Sequence, residues 1–193
     1  QLSSGVSRIF SNGRAFAALK QDGSVVTWGY TPSGGDSVVT WGNTPTGADG
    51  ISVAAQLSAG VIRIFSTALA FAALKEDGSV VTWGDSGSGG DSSSVSNDLQ
   101  SGVNQIFSTN YAFAALKDDG SIVAWGDSSY GGDSSSILAS VGSGVSHVFS
   151  TNTAFAAVKS DGSVITWGNN SGGGDSSSVS SSLASGVIEI FSN

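Results

Sequence analysis

Apolar positions along this chain come in short runs separated by Gly, Ser, Asp and Thr, and the runs recur. One clean stretch, residues 101–142, reads SGVNQIFSTNYAFAALKDDGSIVAWGDSSYGGDSSSILASVG. VNQIFS, YAFAALK and SIVAWG are rich in β-branched and aromatic residues, which predicts three strands. Asp119-Gly120 lies between the second and third runs, and such a dipeptide has the φ > 0 tolerance of a two-residue type I′ hairpin. GDSSYGGD reads as a loop, and SSSILASV as a weaker outer strand. Three to four strands in 42 residues leave no room for a helix of ordinary length, which excludes helical repeats. Within the runs, large Phe113 alternates with Ala112 and Ala114. Val123 and Trp125 share one strand face, Ile122 and Ala124 the other. Neither face is polar, so each sheet is expected to be covered on both sides. Small sheets stacked face to face around an axis meet that requirement, giving an all-β, β-propeller-type array. A parallel β-solenoid is the alternative, but it prefers shorter coils and needs no tight antiparallel hairpin in every unit.

The period is regular. The Phe of the Ile/Val-Phe-Ser phrase falls at 10, 65, 107, 149 and 191, and the Asp of Asp-Gly at 22, 77, 119 and 161. The spacing is 42 everywhere except in the first interval, which is 55. The excess of thirteen equals the separation of Trp28 and Trp41, each inside VVTWG. The first unit therefore carries a tandem duplication, expected to form an extra hairpin or a bulged loop on the first blade. The organisation predicted is one repeat domain over 1–193, with units near 5–59, 60–101, 102–143 and 144–185 and an extra strand over 186–193. SGVSRIFSN at the start and SGVIEIFSN at the end make five strands of one type against four of the AFAALK type. The chain thus reads as a piece of a longer array, or as one whose spare strand pairs with another molecule.

At residue level, Gly60-Val61, Ala73-Leu74-Lys75, Asp77-Gly78 and Trp83-Gly84, with equivalent sets at 102–126 and 144–168, resemble the repeat of the regulator of chromosome condensation family. The resemblance covers essentially the whole chain and is closest to that family's short bacterial branch, which includes a propeller-type β-lactamase inhibitor. It implies a β-propeller. Two features depart from the family pattern: FSTNYAF stands where members carry a Gly-His element, and Gly-Gly-Asp stands where they carry Gly-Gln. Family rings close with about seven blades, against four units here.

Composition narrows the function. Of 193 residues, 11% are charged and the net charge is −8, which argues against nucleic acid, whose phosphates want clustered Lys and Arg, and against an anionic membrane surface. The absence of Cys removes disulfides, thiol catalysis and thiolate metal sites. No apolar run approaches the roughly 20 residues of a membrane helix, so no membrane insertion is expected. The lone His147 shares its repeat position with Arg8, Arg63, Gln105 and Glu189. A position accepting such different side chains reads as solvent-facing, and no His accompanies the serines in a triad pattern. An enzyme is not expected.

Asp91, Asp133 and Asp175 sit in the repeated Gly-Gly-Asp loops. Asp beside Gly ties turns by side-chain hydrogen bonds; calcium held by these carboxylates is the alternative, and no other cofactor is expected. The Trp residues at the repeated strand position read as core, and Lys20, Lys75, Lys117 and Lys159 as solvated strand ends. Tyr30, Tyr111, Tyr130 and Arg14 are large side chains at otherwise small, polar loop positions, and such residues are the usual interface anchors. The reading is a non-enzymatic structural or adhesive repeat module of a larger exported bacterial protein. Its partners would be protein, by self-association or through neighbouring repeats, at an extracellular or cell-surface location. The alternative is a partner-binding propeller, such as an inhibitor of a secreted enzyme, using loop aromatics on one rim. Nucleotide exchange has no residue-level support.

Overall fold

In the computed structural model, residues 4–30, 36–37 and 53–192 are described, and the chain divides into two compact units, Gln1–Ser101 and Gly102–Asn193. The fold is the all-β blade array expected from the repeat. In the first unit, β1 (Val6–Ser11), β2 (Ala15–Lys20), β3 (Val25–Gly29) and β4 (Asp36–Ser37) form one antiparallel sheet in sequence order. A second sheet holds β5 (Val61–Ser66), β6 (Ala70–Lys75) and β7 (Val80–Gly84). In the second unit, β8 (Val103–Ser108), β9 (Ala112–Lys117) and β10 (Ile122–Gly126) form a third sheet. The fourth holds β11 (Val145–Ser150), β12 (Ala154–Lys159) and β13 (Val164–Gly168).

Register places Phe opposite Trp in every blade: Phe16 with Trp28, Phe71 with Trp83, Phe113 with Trp125, and Phe155 with Trp167. Their rings stack at 5.1–5.3 Å between centroids. Each sheet thus has an aromatic face, and alternation leaves Ala on the opposite face of the same strands. The core forms where these unlike faces meet. In the first unit, Ala15, Ala17 and Leu19 of β2 cluster with Ile64, Phe71, Ala73 and Trp83 of the following blade. In the second unit, Ala112, Ala114 and Ile122 cluster with Val148, Phe155, Ala157 and Trp167. Small side chains on one face make room for large rings on the other, which fills the space to interior density. Trp83, Trp125 and Trp167 are buried as expected of core. Trp28 is half-buried, and Trp41 lies outside the described residues.

Three local expectations are corrected. The hairpin loops hold three residues, not two: Lys20 N–H donates to Ser24 and Gly23 N–H donates back to Lys20. Only the last loop position needs the left-handed region, and Gly23 (φ +75°) fills it, as in a three-residue loop ending on a Gly bulge. The segment read as an outer strand is helical. Ser93–Val95, Ser135–Ile137 and Ser177–Val179 are 3-10 turns, and Leu138–Val141 is a four-residue α-helix. Its apolar residues are four apart, as in Val95/Leu99 and Ile137/Val141, a helical spacing that puts both on one side. Leu57, Leu99 and Val141 are buried there, and the Leu57, Leu99 and Leu183 carbonyls accept from the first residue of β3, β7 and β13. Finally, residues 187–192, predicted as a strand, pair with no sheet among the described residues. The duplication adds β4, which meets β3 through Trp28 and Asp36.

Candidate functional site in the blade joint

The joint between consecutive blades is built from the repeated phrases, and the second unit shows it complete. Trp167 Nε1 donates a buried 3.0 Å hydrogen bond to the Gly131 carbonyl in the Gly-Gly loop of the preceding blade. Gly131 has φ +91°, and a Cβ built there would stand 2.7 Å from Phe155 Cδ2. The loop glycine is therefore demanded by the neighbour's rings as well as by its own turn. Thr109 braces the same loop from its own sheet: its Oγ1 donates to the Tyr130 carbonyl at 3.0 Å and accepts from Ala112 N–H at 3.1 Å. Thr67 does so with Ser88 and Ala70, and Thr151 with Gly172 and Ala154. In the first blade Asn12 accepts from Arg14 and Ala15 N–H instead. These threonines were not singled out from the sequence, although their recurrence directly after Phe-Ser was the available signal.

The Gly-Gly-Asp carboxylates serve the loop. Asp91, Asp133 and Asp175 each accept from the backbone N–H of the Ser two residues on, at 2.8, 2.8 and 2.9 Å. Those hydrogen bonds, backbone first and hydroxyl second, hold all three carboxyls below the ordinary value. Asp85 accepts from the Ser88 hydroxyl, and Asp127 from Ser129 N–H. Among the described residues no three acidic or histidine side chains gather as a metal-binding group. His147 is exposed, with Nδ1 3.2 Å from the Ser146 hydroxyl.

The four anchor candidates come together as two pairs. Arg14 lies over the Tyr30 ring at 5.3 Å in the first blade. Tyr111 and Tyr130 meet edge to face at 4.7 Å in the third. Tyr30 is exposed and Arg14 with it, whereas Tyr130 also packs against the joint of the second unit.

The faces of the first and last blades are more exposed than those of the blades between. In the first blade Ile9 is 60% and Phe16 45% exposed, while Ile64, Ile106, Val148, Phe71, Phe113 and Phe155 at the same repeat positions are at most 4%. Among the described residues no Ala face packs over these two side chains. In the last blade the Ala face borders a cavity of about 260 Å³, lined by Ala154, Ala156, Val164, Leu183, Ile190 and Phe191. Gly173, one period beyond Gly131, has φ +103° and nothing within 4 Å of its Cβ direction. Among the described residues no ring packs against this loop.

No protein-family model matches the chain, and no curated protein sequence is significantly similar to it. Solved structures are. Human WBSCR16 is 20% identical, with 88% of this chain and 49% of that one covered and a TM-score of 0.52. Prp20p from Saccharomyces cerevisiae is 15% identical, with 87% and 46% covered and a TM-score of 0.55. Yeast RCC1 (Prp20) bound to Kap60 gives 15%, 87%, 45% and 0.56. The chain spans about half the length of these structures. At such identities the likeness concerns fold, and the fold is that of the RCC1-type propeller, as the repeat phrases imply.

Proposed function

We propose that this chain is a non-enzymatic building block, a repeat module that works by joining protein surfaces through its blade faces. The observation that carries the reading is the pair of more exposed faces on the first and last blades. An exposed Ile9/Phe16 face and an open Ala154/Ala156 groove are the two sides of a contact that the chain already makes internally. Apolar side chains left exposed together on one face are a feature of interaction sites. RCC1-type neighbours support protein as the partner class, since yeast RCC1 (Prp20) was solved bound to Kap60 and Prp20p has binding properties towards Gsp1p and histones. An exported, adhesive role at the cell surface is part of the reading, supported by the acidic, Cys-free, near-identical repeats and by the resemblance to the family's short bacterial branch. Calcium held by Asp91, Asp133 or Asp175 is what the chelator arm of the following test addresses.

The test is the mass of the purified chain by light scattering across concentration, with and without a chelator. Oligomers that grow with concentration are the expected result. A monomer throughout overturns the building block and leaves a second reading, a rim that binds a foreign protein such as a secreted enzyme. One observation favours that alternative: the pairing of Arg14 with Tyr30 and of Tyr111 with Tyr130. Replacing Tyr30 and Arg14 by Ala should then abolish capture of that partner without changing stability.

A further inference from the structure

We propose that Arg8 and Arg63, carried at the same place on adjacent blades, form a docking site for the carboxylates of an acidic segment of another protein. This site lies on strand edges, apart from the blade faces of the building-block reading, and goes beyond that reading. β1 and β5 are edge strands of their sheets. Both bulge at this place: the register of β1 with β2 shifts between Val6 and Arg8, and that of β5 with β6 between Val61 and Arg63. Bulges on edge strands re-aim side chains. Here both arginines are exposed, together with Ile62, which is 51% exposed. The Ser66 hydroxyl donates to the Ser11 carbonyl at 3.0 Å, which ties the two strands one turn of alternation beyond the arginines and keeps these at matching positions. Exposure belongs to the position and not to the first blade, since His147 at the same place in the second unit is exposed and Gln105 half-buried.

Charge identifies the occupant. Among the described residues neither guanidinium has an ion-pair or hydrogen-bond partner. The chain's own carboxylates are engaged elsewhere. It has 15 Asp and Glu, yet β1, β5, β8 and β11 contain none. In the first unit Asp22, Asp77 and Asp91 accept instead from Ser24, Ser79 and Ser93 in their own turns. Arg8 and Arg63 thus make a cationic spot on a chain of net charge −8. A planar guanidinium holds a carboxylate through two parallel hydrogen bonds, and Ile62 beside it suits a ligand with apolar carbons next to its charge. Asp and Glu set among apolar residues of a protein segment supply both features. The phosphate chain of a nucleic acid needs a longer run of cations than these two, and meets the repulsion of the whole chain.

The probe is a short, fluorescently labelled peptide of Glu-Gly-Leu repeats, titrated with the full chain at low salt and followed by fluorescence anisotropy. The chain is expected to bind it, and not the matching Lys-Gly-Leu peptide. Arg8→Gln with Arg63→Gln is expected to bind at least about tenfold more weakly, with circular dichroism confirming equal fold. Lys20→Gln with Lys117→Gln removes as much positive charge at the hairpin ends and is expected to bind as the parent does. Equal losses in the two double variants would reduce the effect to net charge and overturn the site. Absence of binding up to about 1 mM protein, or tighter binding of a labelled oligothymidylate, would overturn it as well. An arginine variant that binds like the parent but aggregates would show that these charges guard the strand edges against pairing, and the site would again be lost. Light scattering of the chain without peptide reads the building block separately, so either reading can fail while the other stands.

Discussion

Gly131 and Gly173 occupy the same place in successive loops, with φ +91° and +103°, but only Gly131 has rings against it. This pair separates two costs that a glycine usually confounds. Ala at either position bears the left-handed backbone penalty of about 1 kcal/mol. At Gly131 the new methyl also meets Phe155 Cδ2 and Cε2 at 2.7 and 3.0 Å, adding about 2 kcal/mol of overpacking. Urea unfolding should therefore show Gly131→Ala clearly less stable than Gly173→Ala; equal losses would mean that the rings yield freely. Thr109 is tested in the same spirit. Thr109→Val keeps the shape but leaves Ala112 N–H without this acceptor and the Tyr130 carbonyl without this donor in a buried site. The expected cost is about 2 kcal/mol, with Thr109→Ser retaining most of the wild-type stability.

The hairpin loops are where charge enters the elements. Asp22, Asp77, Asp119 and Asp161 each accept from the hydroxyl and the backbone N–H of the Ser two residues on. The hydroxyl bond is the larger cause and the backbone bond the next, and together they hold these carboxyls below the ordinary 3.8. A carboxyl lowered by folding contributes stability that is complete above its unfolded value and disappears as pH falls through its folded value. The melting temperature should thus be level between about pH 7 and pH 5 and decline below about pH 4. Changing Ser24, Ser79, Ser121 and Ser163 together to Ala should flatten that acid decline; an unaltered decline would assign it to other carboxylates. These loops also show where sequence reasoning stops. Asp-Gly announced a hairpin, but loop length follows from which residues pair, here Lys20 with Ser24, and no single residue displays that. Phe/Ala alternation disclosed both strand faces and hence the stacked sheets. Ser-rich SSSILASV reads as a strand by its β-branched residues, whereas the four-residue spacing of Ile137 and Val141 is the helical signal that the structure follows. The joint itself was half legible: its aromatic residues were recognisable as core, whereas the bond from Trp167 to Gly131 links residues 36 apart in sequence and depends on how blades stack.

For the whole molecule, the joint and the net charge pull in opposite directions. Two copies each carrying −8 repel, and the faces proposed to meet are apolar: Ile9, Phe16 and Trp28 on one side, Ala154, Ala156 and Val164 on the other. The screening length falls from roughly 30 Å at 0.01 M salt to about 8 Å at 0.15 M, so added sodium chloride removes repulsion between approaching copies and leaves burial of the rings untouched. Self-association measured by light scattering should strengthen several-fold across that range. A joint made of ion pairs would weaken over the same range, because its attraction is screened along with the repulsion. A joint made of calcium on Asp91, Asp133 or Asp175 would instead collapse with chelator at constant ionic strength and reform on adding the ion. Salt and chelator together therefore distinguish an apolar joint from both electrostatic designs, and association that weakens with salt would remove the rings of the first blade from the joint.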